Sequence, residues 1–344
     1  MKAPEHWPPP RWWVVRLQLF VERFVPASLA VSATLFAVPL TIIGVIIAQA
    51  TGFNLFTRGV VFALLWLAIA PWLLTLAYRT VAGFFDENRR RFLTNDQAFR
   101  DLQYRMLQNL DSPRYILMSV PLAIICVWVL LSSLYVSSPT MVRIWIAMTF
   151  GILLFLAGMG FWGIARFNYI FRQICEQELK FDPYHADGFG GLAFLGQFNI
   201  KGPQYFFSGA LLFPIVFEVV DNLPDNQLVS LGLWGVVLAF LAFGASSFLI
   251  PQVKIKDIIA RRKEDCLAES EAILQTLLSD LCLTPCNDKE LANVLRFKID
   301  AYYQYFHRRI MAVREWPFDW KVILQILSSL AIPVIVAIVQ ALLR

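Results

Sequence analysis

The stretch Arg58–Thr80, RGVVFALLWLAIAPWLLTLAYRT, carries no charge between Arg58 and Arg79, and Arg89-Arg90-Arg91 follows it. A bilayer core about 30 Å thick takes about 20 apolar residues as helix. Only helices or closed barrels satisfy backbone polar groups in lipid. The apolar run is continuous rather than alternating, so it reads as a transmembrane helix with a basic flank. Six further segments have spanning or near-spanning length: Pro26–Gln49, Tyr115–Val136, Val142–Ala165, Tyr205–Val220, Leu228–Ile250 and Val322–Leu343.

The gaps between these segments alternate in charge. The N-terminal arm and the second, fourth and sixth gaps hold 27 of the 30 Lys and Arg; the remainder are Arg58, Arg143 and Arg344. The positive-inside rule then puts the N-terminus in the cytoplasm and the C-terminus outside. Tyr205–Val220 is the weakest span, being short and interrupted by Pro214. If it dipped in and returned, the basic stretches Lys254–Lys263 and Arg308–Lys321 would lie outside, against the charge bias, so it reads as a crossing. The expected fold is an all-α polytopic bundle of seven spans with a cytoplasmic helical hairpin.

Composition agrees. The 344 residues are 58% hydrophobic and 16% charged, with mean hydropathy +0.58, whereas soluble domains carry roughly 25% charged residues. Ala48-Gln49-Ala50 resembles a signal-peptide cleavage site, but the apolar run before it exceeds an h-region of about 7–15 residues. The pI near 9.0 follows from the membrane flanks, where bases mix with acids. No nucleic-acid footprint is present. Cys175, Cys266, Cys282 and Cys286 fall in expected cytoplasmic segments, where thiols stay reduced.

The expected organisation is a cytoplasmic arm over 1–25, a six-span membrane region over 26–250, a cytoplasmic hairpin over 251–319 and a last spanning helix over 320–344. The arm begins extended at Pro8-Pro9-Pro10, and Trp12 and Trp13 follow at a position suited to the interface. Within the membrane region, residues 92–112 form an amphipathic helix. Thr94-Asn95-Asp96-Gln97 has capping-box form, and Phe99, Leu102, Met106 and Leu110 recur at helical spacing. In the hairpin, Ile255, Ile259, Leu267, Leu274, Leu277 and Leu281 make one stripe. Leu291, Leu295, Ile299, Tyr302, Phe306 and Val313 make the other. Thr284-Pro285 separates the arms, and Trp316 and Trp320 mark the return to the membrane.

The most unusual local sequence lies in the segment 182–203: Asp182-Pro-Tyr-His185-Ala-Asp187-Gly188-Phe-Gly190-Gly191-Leu192. After it, Gly191–Phe198 is apolar but too short to span, and reads as interfacial or re-entrant. The motif His-x-Asp-x-x-Gly-Gly-Leu followed by Phe-Leu-Gly resembles one found in uncharacterised bacterial multi-pass inner-membrane proteins. There it commonly reads His-Pro-Asp, where this chain has Ala186. The resemblance covers about a dozen positions. It implies a bacterial inner membrane, with no activity to carry over.

Three readings of the motif stay open. A zinc site wants three or four protein ligands, and this segment offers fewer. His185 with Asp187 forms a candidate acid–base pair. A turn explains the composition without chemistry, since Asp and Gly bend the chain. A second candidate lies in the fifth span, where Glu218 and Asp221 are one helical turn apart. Ionisable residues in spans commonly mark pathways, and short proline-interrupted spans point to transporter sites. Asp221 also opens an expected external loop whose water Glu218 reaches, which is the plainer reading.

Gly158-Met-Gly160-Phe-Trp-Gly163 spells a dinucleotide fingerprint inside a spanning run. The fingerprint requires a strand before it, so close helix packing explains these glycines. No Walker loop, nucleophile elbow or paired-histidine metalloprotease motif is present, so an enzyme is disfavoured and neither cofactor nor metal is called for. The leading expectation is a bundle that forms or gates a small ion or solute pathway. Glu218, Asp221, His185, Asp187, Gly188, Gly190 and Gly191 would line or control it. The alternative is a non-transporting sensor or effector whose hairpin binds a cytoplasmic protein partner. A weaker alternative is an enzyme using His185 and Asp187. The expected partners are the lipid bilayer and, with the hairpin or Gly151 and Gly158 as contact surfaces, a second copy of the chain.

Overall fold

The computed structural model describes residues 11–22, 28–54, 57–93, 95–110, 112–133, 135–221, 227–283 and 289–316, with Leu324 and Ser328. The described chain is all-helical, apart from one isolated bridge between Phe92 and Leu179. Its helices are α1 (Trp13–Val21), α2 (Ser28–Ser32), α3 (Val38–Thr51), α4 (Arg58–Asn88), α5 (Asp96–Leu110), α6 (Ile116–Ser133), α7 (Thr140–Cys175), α8 (Ala193–Phe207), α9 (Phe213–Asp221), α10 (Gln227–Leu283), α11 (Lys289–Tyr302) and α12 (Arg308–Ala312).

Five helical stretches are long and apolar enough to cross a membrane: Leu29–Thr51, Gly59–Arg91, Asp96–Ser132, Thr140–Cys175 and Trp234–Leu283. A π-turn, Ala33–Ala37, joins α2 to α3 in the first of them. The last expected span, Val322–Leu343, lies outside the described residues except for Leu324 and Ser328.

The expected fifth span, Tyr205–Val220, is not among these five; its residues belong to a longer, broken helical path. Gly191–Phe198 is not a separate re-entrant element, because residues 193–198 are the first turns of α8. A 3-10 stretch, Ser208–Leu212, then leads into α9, with Pro214 in the first turn of α9. Proline is tolerated there because the first-turn N–H has no intrahelical partner. This broken path runs antiparallel beside α4. Phe198 stacks on Phe84 at 4.0 Å between ring centroids, Tyr205 Oη is 2.7 Å from Thr80 Oγ1, and Glu218 accepts from the Gly59 amide. The path thus travels from one end of α4 to the other.

That traverse sorts the gaps between spans into two groups. At one end the second, fourth and sixth gaps meet: Leu93 N donates to Glu178 O at 3.1 Å, Lys180 N to Arg91 O at 2.8 Å and Arg314 N to Gly188 O at 2.9 Å. At the other end the first and third gaps meet through Phe53 and Tyr135, with ring centroids 6.2 Å apart. Glu218, near the fifth gap, reaches Gly59 at this same end. The three basic gaps therefore share one face of the bundle, hereafter the basic end.

Close helix approach uses two glycines of the false fingerprint, Gly158 and Gly163. A Cβ on Gly158 would stand 2.5 Å from Ser119 Cα, so α6 and α7 pack there nearly backbone to backbone. Gly163 in the same helix faces Trp12.

Two amphipathic elements differ from their sequence reading in detail. The cap of α5 is Asn95, whose Oδ1 accepts from Ala98 N at 2.8 Å; Thr94, the expected cap, lies outside the described residues. The stripe Phe99, Leu102, Met106 and Leu110 is buried, with Leu107 beside it. It packs against α4 and α7 rather than lying free. In α1, Trp13 is exposed, but Trp12 is 1% exposed and turned into the bundle. Gln18 follows it inward and meets Thr75 of α4.

The helix α10 runs unbroken through Pro251 for 57 residues, about 85 Å at 1.5 Å per residue. The first arm of the hairpin is thus a continuation of a spanning helix. The second arm, α11 to α12, returns antiparallel: His307 Nδ1 lies 3.5 Å from Ser270 Oγ, and Lys263 Nζ donates to Val313 O at 3.1 Å. Leu295, Ile310 and Val313 are buried as a stripe, but Leu291 and Phe306 are exposed. A π-turn, Tyr303–His307, rotates the arm by one residue. It brings His307 against α10 and turns Phe306 outward.

Candidate functional site

The segment Asp182–Leu192 sits at the basic end, between α7 and α8. Asp187 organises it. Its Oδ1 accepts from Phe189 N at 2.9 Å and Gly191 N at 3.0 Å, and its Oδ2 accepts from Ala193 N at 3.2 Å. Ala193 opens α8, so the carboxylate also meets the positive end of that helix. Burial raises the Asp187 carboxyl, but the three amides and His185 outweigh it and hold it below the usual aspartate value.

The glycines follow from that wrapping. Gly188, Gly190 and Gly191 have φ of +70°, +65° and +82°, a region that side chains disfavour. A Cβ on Gly190 would also fall 2.1 Å from the Phe181 ring. Leu192 is fully buried and anchors the exit.

His185 bridges this turn to the 3-10 turn Arg89–Arg91 that follows α4. Arg91 Nη2 donates to His185 Nε2 at 2.9 Å. Arginine has no acceptor, so Nε2 accepts in this contact, and Nδ1 faces Asp187, 3.3 Å from its backbone N. Nδ1 in turn lies 3.1 Å from Asp187 Oδ1. The order Arg91, His185, Asp187 links the turn after α4 to the start of α8.

The loop also holds the hairpin. Gly188 O accepts from Arg314 N, and Tyr184 meets Phe306 edge-on at 5.6 Å. Lys263 adds a 3.6 Å ion pair to Glu315, and Ile255 and Ile259 are fully buried at the hairpin base. The basic ends of α4 and α7, the start of α8 and the two hairpin arms therefore come together around this turn.

Glu218 lies at the opposite end, far from His185 along α4. Its carboxylate accepts from Gly59 N in the first turn of α4, and a Cβ on Gly59 would collide with it. Asp221 closes α9, but its side chain lies outside the described residues. The expected site residues thus fall into two separate groups: His185, Asp187, Gly188, Gly190 and Gly191 at the basic end, and Glu218 at the other. Among the described residues, no three His, Cys, Asp or Glu side chains come together as metal ligands.

Sequence reasoning missed Arg91, Arg314 and Gly59. Arg91 had a signal in the run Arg89-Arg90-Arg91, but it read only as a topogenic flank. Gly59 and Arg314 contribute backbone groups, which leave no mark in side-chain pattern.

No protein-family model matches this chain, and no curated protein or solved structure is significantly similar to it. The fold itself defines the class: an all-helical protein with several helices apolar enough to span a membrane.

Proposed function

We propose that this chain is a bacterial inner-membrane coupling protein, with its N-terminus cytoplasmic and its C-terminus periplasmic. Its cytoplasmic hairpin engages a protein partner, and the His185–Gly191 turn ties that hairpin to the spanning helices. One observation carries the reading: α10 is continuous from the membrane region into the hairpin, and the returning arm is fastened back to the same bundle at Gly188. A shift among the spans then moves the arm, and a load on the arm reaches the spans. Phe297 and Tyr305 are 74% and 70% exposed on the hairpin, which supports a docking role for this element.

A photo-reactive residue at Phe297 in living cells tests it. The expected result is a discrete adduct with a second protein, lost when Leu295→Asp opens the hairpin while the chain still inserts. Adducts with lipid alone, or none, would contradict it. An adduct with a second copy of the chain would instead make the hairpin an assembly surface.

The pathway reading retains one specific observation, the 3-10 break at Ser208–Leu212 beside the helix that carries Glu218. Discontinuous helices line sites in many transporters. Reconstituted flux across a panel of ions, reduced by Glu218→Gln, would support it. The enzyme reading has less room, since His185 and Asp187 already spend their polar atoms on Arg91 and three amides.

A further inference from the structure

The contact between Arg91 and His185 can exist in only one charge state of the ring. Arg91 Nη2 lies 2.9 Å from His185 Nε2, and a guanidinium only donates, so Nε2 must offer a lone pair. A protonated imidazole donates from both nitrogens. A proton taken up at Nε2 therefore replaces the hydrogen bond with two cations face to face. The His185 side chain is 30% exposed, so solvent protons reach it. Histidine as a residue type changes charge between about pH 5 and pH 8.

A protonated ring has a second partner already in place. Nδ1 lies 3.1 Å from Asp187 Oδ1. Burial raises the Asp187 carboxyl, but the amides of Phe189, Gly191 and Ala193, with His185, hold it below the usual aspartate value. It is thus an anion throughout this range, fixed by amides that do not depend on the ring. Arg91 is placed as firmly on the other side. Its carbonyl accepts from Lys180 N, and its Nη1 packs over Gly191, where a Cβ would stand 3.0 Å away.

The other charged and titratable groups around the loop have contacts of their own. Asp182 Oδ1 accepts from Tyr184 N at 3.0 Å. Burial raises the Tyr184 hydroxyl, with Tyr302 and Asp182 adding to this and Arg309 opposing it, so Tyr184 stays neutral. Arg314 gives its backbone N–H to Gly188 O, and Arg89 is engaged by Asp96.

We propose that His185 is a proton-sensitive clasp. With a neutral ring it fastens the turn after α4 to the loop that holds the hairpin. Protonation at Nε2 frees Arg91 and leaves the ring on Asp187, so acid on the cytoplasmic side loosens the spans from the hairpin. The contact favours the neutral ring, so its contribution is complete in alkaline solution and is lost as the ring takes a proton. The effect on a partner rests on the hairpin reading; the clasp itself does not.

The test compares Arg91→Ala in two backgrounds of the full chain, by thermal melting in detergent at about pH 8 and about pH 5. His185→Gln keeps a side-chain acceptor that does not titrate. In the wild-type background, Arg91→Ala should lower the melting temperature at the higher pH and lose most of that effect at the lower. In the His185→Gln background its effect should be the same at both. His307 is present in all four proteins, so its own titration cancels. An equal effect of Arg91→Ala at both pH values in the wild-type background would overturn the clasp. So would the same pH change in the His185→Gln background. A second measurement follows adducts from position 297 in inverted membrane vesicles buffered at each pH. Their yield should change several-fold with pH, and not in His185→Gln. Adducts indifferent to pH would overturn the link from clasp to hairpin. If no adducts form at either pH, the partner reading fails and the melting comparison decides the clasp.

Discussion

Arg91 donates to His185 Nε2 across 2.9 Å, and this contact ties the end of α4 to the turn that leads into α8. The residues are 94 apart in sequence. The imidazole is thereby held with its other nitrogen toward Asp187, so its first role is to orient and join.

Removing the ring should therefore loosen the basic end without emptying the membrane. His185→Ala is expected to cost about 1 kcal/mol, the size of a partly exposed hydrogen bond. Arg91→Ala should cost a similar amount, and the double variant less than the sum, because both remove one interaction. Thermal melting in detergent reads all three.

Asp187 links stability to acid. Its folded carboxyl lies below the ordinary aspartate value, so its stabilisation is fully present above about pH 4, near the unfolded value. It is lost as pH falls through the lower folded value. The stability gap between wild type and Asp187→Asn should be present at neutral pH and close as the pH falls below about 4. A gap that widened on acidification would reverse the sign.

The glycines of the turn should rank by space as well as by φ. Gly188→Ala meets nothing within 4 Å, so only its positive φ is strained, costing about 1–2 kcal/mol. Gly190→Ala carries the same strain and a collision with Phe181. It should destabilise more, in melting temperature and in yield of folded protein.

At the opposite end, Glu218 and Gly59 should behave as a unit. Glu218→Gln removes the anion from the α4 N-terminus and should cost about 0.3–1 kcal/mol. Gly59→Ala should be harmful alone, because its Cβ meets the carboxylate. It should be largely relieved in combination with Glu218→Ala. Additive losses would separate the two residues.

Much of this architecture was open to reading from one sequence, for identifiable physical reasons. Runs such as Arg58–Thr80 announce a helix in lipid through length and apolarity, and the Arg clusters mark which gaps share an end. The α5 stripe was legible because its period is local. The turn at Asp187 was legible as a turn, since Asp and Gly carry their conformational preference with them. Long-range pairing was not. Glu218 meets a backbone amide 159 residues away, and a backbone amide has no sequence signature. The extra residue of the π-turn at Tyr303–His307 shifted Phe306 from an expected buried position to the surface. Trp12 read as interfacial because a tryptophan beside a span commonly is, but α1 folds back and buries it.

Movement shared between the membrane helices and the hairpin is tested most directly by locking the contact of Tyr184 with Phe306. In a cysteine-free chain, Tyr184→Cys with Phe306→Cys is bridged by a short bis-maleimide in native membranes, and adduct formation from position 297 is compared before and after. The account predicts that the bridge forms and that partner adducts change several-fold. A bridge that forms and leaves the adducts unchanged would contradict it.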